Sequence, residues 1–316
     1  MTDLRLKITF TYGDQQVTFQ GVVAPDFTET LLMSHSSQNK TPLRIPVRRM
    51  DFVIPAMARY WYKGNPWITH FLNGMSAGFP DGERFFIHAV RNFESQITDP
   101  VLQQQIRAFI GQEANHGKEH EAFNNAMAAQ HRGVPLDKMM KGARRGLEWI
   151  KKKASPRRQL AMTVGFEHFT AILAHQLLER PDFVREVGGI YADLFLWHAV
   201  EETEHKAVAF DVYQAVDGGY WMRVSTMAGV SAMFVTTHLY LMYLLVKSDG
   251  KLNDWRAALG FANFILHKPG LFTRIIPQYL DFYRPGFHPW QHDNRALVSE
   301  RIEQLAEYEL QVVKVA

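Results

Sequence analysis

Four stretches of this chain set acids and imidazoles inside otherwise apolar helical sequence, and nothing else restricts the fold as strongly. The first, DGERFFIHAVRNFESQI, carries Glu83 and, eleven residues on, Glu94 at nearly the same angular position. The second, QEANHGKEH, contains Glu113-x-x-His116. The third, MTVGFEHFTAILAHQ, places Glu167 among aliphatic and aromatic neighbours. The fourth, WHAVEETEHKAVAFD, holds His198, Glu202 and His205. At about 100° per residue, Glu-x-x-His puts both side chains within about 60° on one helix face. His198 precedes Glu202 by four residues and His205 by seven, so all three share one stripe. Carboxylates inside a packed core are costly unless something pairs with them. A four-helix bundle solves this by giving one Glu from each of two helices and a Glu-x-x-His from each of the other two to a pair of metal ions. Glu83, Glu113 with His116, Glu167, and Glu202 with His205 occur here in that order.

Each position also has a plainer reading. Glu83 stands where a first-turn acid favoured by the helix dipole would stand, with Glu94 then the substitute ligand. Glu113 and His116 read equally as a surface pair. Glu202 and His205 adjoin Glu201 and Glu204, which together resemble an acidic surface patch. His88 and His120 read as surface or core histidines, and His168 and His175 as structural. Asp193, Glu201 and Glu119 lie near enough in sequence to orient the imidazoles from behind.

Composition narrows the chemistry. The chain has no cysteine, which excludes disulfides, thiolate zinc sites, iron–sulfur clusters and cysteine nucleophiles, so any metal rests on His and carboxylate. That donor set suits iron, with manganese as the alternative. Lys plus Arg number 35 against 32 Asp plus Glu, and this near balance makes no case for nucleic acid. The basic clusters at 138–145 and 151–158 read as a solvated helix face and loop. The N-terminal MTDLRLKITFTYGDQQ has no apolar run of signal-peptide length, and a cytoplasmic chain is expected. Residues 225–246 run without a formal charge. They read either as a helix buried in the bundle or facing a partner, or as one that inserts in or lies on a membrane.

The expected fold is mostly α: a ferritin-like four-helix bundle with extra helices and a short N-terminal β-hairpin. Residues 1–80 read as the hairpin, turning at Tyr-Gly-Asp-Gln, followed by an irregular wrapping segment. Residues 81–219 read as the di-metal bundle, with Asp81 capping the first helix and Asp99-Pro100 and Ser155-Pro156 opening two more. A short basic helix is expected over 136–153. Residues 220–316 read as the apolar helix, a helix near 251–266, the aromatic loop YLDFYRPGFHPWQHDN and a last helix over about 295–312.

The pattern Glu … Glu-x-x-His … Glu … His-x-x-x-Glu-x-x-His resembles the seven-ligand non-haem di-iron N-oxygenases, typified by p-aminobenzoate N-oxygenase. The likeness covers roughly residues 80–215. Over most of its length, including RPGFHPW, the chain also resembles the bacterial family labelled "predicted metal-dependent hydrolase". The first resemblance implies two iron ions, with Glu113 and Glu202 bridging, Glu83 and Glu167 terminal, one ion each for His116 and His205, and His198 as a third imidazole. It implies an oxygenase or oxidase that takes O₂, a small hydrophobic or aromatic substrate and an external electron donor, since no nicotinamide or flavin fingerprint is present. The second label points instead to a di-metal hydrolase, and a non-catalytic metal-binding bundle is the third reading. The apolar run over 220–247 makes a homodimer reasonable.

Overall fold

The computed structural model describes residues 5–12, 15–22, 45–55, 58–130, 135–180, 182, 186–187, 189–267, 270–305 and 311–313. Two compact units divide the chain, residues 1–40 and 41–316. In the first, strands β1 (Arg5–Tyr12) and β2 (Gln15–Val22) pair antiparallel, with Tyr12 opposite Gln15. This is the hairpin expected from the alternating sequence. The Gly13-Asp14 turn itself lies outside the described residues.

The second unit is helical. Its helices are α1 (Pro66–Arg91), α2 (Pro100–Gln130), α3 (Leu136–Lys153), α4 (Pro156–Leu178), α5 (Gly189–His205), α6 (Val208–Ala215), α7 (Tyr220–Ser248), α8 (Trp255–Leu266), α9 (Leu271–Asp281) and α10 (Arg295–Leu305). Strand β3 (Val47–Arg49) pairs antiparallel with β4 (Gln311–Val313). The bundle proper is α1, α2, α4 and α5: α1 packs along α2, α4 along α5, and α7 covers the groove between α1 and α4.

Local chemistry explains where these helices start. Asn65 accepts hydrogen bonds from the Trp67 and Ile68 amides, with proline in the first turn. Ser155 accepts from Arg158 in the same way before Pro156, and Asp99 accepts from Val101. Helix α1 therefore begins at Pro66 rather than at Asp81, and the expected boundary at residue 80 falls inside it. Pro80 and the surrounding small residues hide this helix in the sequence. Pro80 has no amide hydrogen, so the Ser76 carbonyl one turn earlier loses its helical donor. Asn124 on α2 replaces it, donating from Nδ2 to that oxygen at 3.0 Å.

Further along the chain, the last expected helix is described over Arg295–Leu305, the end of its expected span falls in β4, and the aromatic segment after 270 begins as helix α9. The fourth ligand stretch divides into α5 and α6.

Helix α7 is long and apolar enough to cross a membrane by length and composition, and 39% of its most apolar window is buried. Its inner face meets α1 at Gly74, where an added Cβ would come within 3.3 Å of Leu241 Cβ. Its outer face leaves Trp221, Tyr240 and Tyr243 exposed.

Asn65 also donates to the Ala257 carbonyl on α8. Asn65→Ala should therefore cost about 1–2 kcal/mol. Urea denaturation followed by circular dichroism would read this as a lower midpoint at unchanged slope.

Candidate metal centre

Glu83, Glu113, His116, Glu167, His198, Glu202 and His205 all point into the bundle and are buried. They fall into three overlapping groups whose ligand atoms lie within 4.8 Å of one another: Glu83, His116 and His198; Glu113, His116 and Glu202; Glu113, Glu167 and His205. His116 links the first two groups and Glu113 the last two. Glu94, the substitute for Glu83, sits in a 3₁₀ turn beyond the end of α1 and is half-exposed. His88 is exposed. His168 contacts the Gln278 carbonyl at 3.1 Å, away from the cluster. Gly117 makes room on α2, since a Cβ there would lie 3.1 Å from Glu83 Oε2.

The cluster is under-satisfied as a set of protein groups alone. Both carboxylate oxygens of Glu83, Glu113 and Glu167, both ring nitrogens of His116, Glu202 Oε2 and His205 Nε2 are buried without a well-formed hydrogen bond. Buried polar atoms are normally paired. So many orphans converging on one volume are what remains of a cation site when only the protein is counted.

The proton affinities agree. Burial, with Glu113 next, pushes Glu83 well above the usual carboxylate range. Burial also raises Glu113. Glu167 goes well up for the same reason, with Glu113 adding to it. Burial would lower His116, but Glu201 and Glu202 outweigh it and raise it to about 10. His205 is likewise raised against burial, chiefly by Glu202. Without a cation the site collects protons; a cation would stand in for them.

A charged network holds two of the imidazoles. His205 Nδ1 lies 2.8 Å from Gln112 Oε1, and Gln112 donates to Glu204 Oε2 at 3.0 Å. His116 Nε2 lies 3.2 Å from Glu201 Oε2. Arg48 of β3 joins the two branches, with Nη1 3.1 Å from Glu201 and 2.7 Å from Glu204, and Nη2 2.7 Å from Glu204. Burial would lower the Arg48 guanidinium, but Glu204 and Glu201 outweigh it and keep it charged. Of the three acids expected behind the imidazoles, Glu201 takes that place. Glu119 instead accepts the Asp51 and Phe52 amides and so ties down the segment after β3. Asp193 lies half-buried earlier on α5.

A neutral chain holds His198. Asn124 is oriented by its bond to the Ser76 carbonyl, which aims its Oδ1 at Ser76 Oγ, 2.9 Å away. Ser76 has one proton and gives it to that oxygen, so His120 Nδ1, 2.8 Å from Ser76 Oγ, must donate. Burial holds His120 neutral, well below the usual imidazole range. Its Nε2 is therefore an acceptor and takes the His198 Nδ1 proton across 2.6 Å. Burial, then His116, lowers His198 to about 4. The neutral ring thus turns an Nε2 lone pair toward Glu202 Oε1 at 2.8 Å. Two acceptors at that distance need a proton or a metal ion to reconcile them.

A largely apolar cavity of about 120 Å³ reaches His198 and Glu202. Phe79 closes it there, its ring centroid 4.8 Å from those of both His120 and His198. A wider chamber of about 600 Å³ lies beyond Phe79, Thr170 and Phe234, which border both spaces.

Fold and site together define a helical-bundle protein with buried His and Glu groups able to hold metal. The family model described as "Predicted metal-dependent hydrolase" matches residues 46–293, and the chain belongs to that family. No curated protein and no solved structure matches it.

Arg48→Met should strip Glu201 and Glu204 of their counter-charge, costing about 3–5 kcal/mol, and should weaken metal binding about 10–100-fold. Competition with a coloured chelator measures the affinity. Unchanged affinity in a folded variant would remove Arg48 from the support of the site.

Proposed function

We propose that the chain binds two iron ions, with manganese as the alternative occupant, and uses them with O₂ to oxidise a small apolar substrate at the expense of an external electron donor. Glu113 and Glu202, in the middle of the cluster, would bridge. Glu83, His116 and His198 would serve one ion, and Glu167 and His205 the other. The oxygen- and nitrogen-only donor set fits iron or manganese better than softer metals. Bound iron would supply the electrons that activate O₂.

The chain's own residues do the rest. The Arg48–Glu201–Glu204–Gln112 network fixes His116 and His205, and the Ser76–His120 chain fixes the His198 tautomer. Phe79 and Phe234 exclude water from the His198 side. The observation that carries the reading is the apolar cavity ending on His198 and Glu202. A site built to oxidise a hydrocarbon needs such a dry approach, whereas hydrolysis needs a route for water and a charged product.

Hydrolysis is the second reading, because the family's description favours it. Two ions sharing carboxylates also lower the pKa of a bound water.

Metal analysis of protein from iron-supplemented cells, followed by anaerobic reduction and addition of O₂, separates the two. About two irons per chain and an oxygen-dependent visible band support oxidation, and Glu202→Ala should lose both. Zinc or manganese alone, with no spectral response to O₂ and turnover of ester or phosphoester probes, would replace oxidation with hydrolysis. No metal at all would overturn both.

The protons held by Glu83, Glu113, Glu167, His116 and His205 must leave when a cation enters. Metal affinity should therefore rise with pH up to about 10, the value to which His116 is raised. Calorimetry in buffers of different ionisation enthalpy should register net proton release. A pH-independent affinity would contradict the assignment of these ligands.

A further inference from the structure

The cavity at His198 has a second end, and its chemistry is different. From α4 it is lined by Thr170, Leu173, Ala174, Gln176 and Leu177, with Arg180 two residues past the helix end, a stretch of about 15 Å. Leu72, Met75 and Phe79 form the matching stripe on α1, and Phe195, Ala199 and Glu202 that on α5. Phe79, Thr170 and Glu202 mark the metal-side end. Leu72 and Arg180 lie far from the metal-side residues along their own stretches, and Phe264 of α8 and Arg274 of α9 complete the lining.

Two guanidinium groups thus line a passage whose walls are mostly apolar. Both are half-buried, and neither forms an ion pair among the described residues. The Tyr62 hydroxyl lies beside Arg180. Glu186, the acid that this hydroxyl also reaches, is already paired with Lys63 at 2.7 Å. Positive charge drawn partly out of water without a counter-ion is unfavourable, and a planar guanidinium fork suits a carboxylate. The passage is narrow for its length. A volume of about 120 Å³ is near that of an engineered cavity that admits a single benzene ring, here drawn out along roughly three helical turns.

We propose that this cavity binds an unbranched carboxylic acid, its carboxylate held by Arg180 and Arg274 and its alkyl chain lying along α4 toward His198 and Glu202. The chain would fill the apolar stripes of three helices. The head would supply the missing counter-charge. This inference rests on the function proposed above in treating the bound acid as substrate, since its far end then lies against the metal site. The binding itself does not require that reading.

Isothermal titration calorimetry on the full-length, metal-loaded protein tests it, with hexanoate and hexanol as probes. Hexanoate should bind at least about tenfold tighter than hexanol, a difference of about 1.4 kcal/mol. The double variant Arg180→Met/Arg274→Met should lose that preference while binding hexanol as before and keeping its metal content. Equal binding of acid and alcohol, no binding of either, or full hexanoate affinity in the double variant would overturn the proposal. Should the double variant not fold, Leu173→Trp, which fills the passage from α4, should abolish binding of both probes; undiminished binding there would equally overturn it. Hexanoate binding by a protein that holds no metal would leave this inference standing and remove the proposed function. Metal without hexanoate binding would do the reverse.

Discussion

Burying four carboxylates in the middle of a helical bundle is the constraint on which the rest of this structure depends. Glu83, Glu113, Glu167 and Glu202 come from four different helices and meet in a volume with almost no solvent. Their mutual repulsion and lost hydration must be balanced locally, since water cannot screen them. Within the protein, only His116 and His205 are drawn to carry a positive charge there. Arg48 is committed to Glu201 and Glu204. The balance therefore has to come from bound protons or from cations. The convergence of these groups is of the kind that could hold metal ions.

The histidines are held in two physically different ways. On one side His116 and His205 rest on full charges, anchored by a guanidinium from a strand outside the bundle. On the other side His198 is held by neutral groups alone, through His120, Ser76 and Asn124. That neutral chain starts from a backbone defect. Pro80 removes a donor, the orphaned Ser76 carbonyl captures Asn124, and the amide orientation that results settles each proton up to the ligand nitrogen. A kink-prone residue inside a bundle helix thereby fixes a tautomer about a turn away on the neighbouring helices.

The ligand stretches were legible in the sequence because helical periodicity is local: Glu113 with His116, and His198 with Glu202 and His205, share a stripe on any α-helix. The cap signals at Asp99-Pro100 and Ser155-Pro156 were legible for the same reason. What supports the ligands was not. Arg48 lies more than sixty residues before His116 and reaches it only because β3 packs on α2, where an added Cβ on Gly111 would lie 3.1 Å from Val47. His120 reads as an ordinary core histidine until Ser76 is placed beside it, and Ser76 belongs to a helix that Pro80 conceals. Gln112 and Glu204 adjoin ligand residues in sequence, yet only the fold reveals that they face each other. Local pattern identified the groups that converge in the buried cluster, whereas long-range contact decides what holds them.

The placement of the apolar passage follows from the same division. Any substrate that enters strips water from the groups it passes. Beside Arg48, Glu201 and Glu204 that loss would fall on three charges and would be costly. Beside His198, Phe79 and His120 it falls on neutral rings that burial already keeps uncharged. An apolar chain can therefore approach the site along α4 at little electrostatic cost, and among the described residues the charged side chains that line the passage besides Glu202 are Arg180 and Arg274. The neutral support of His198 is then what makes that side of the cluster the open one, and the charged support of His116 and His205 is what keeps the other side closed.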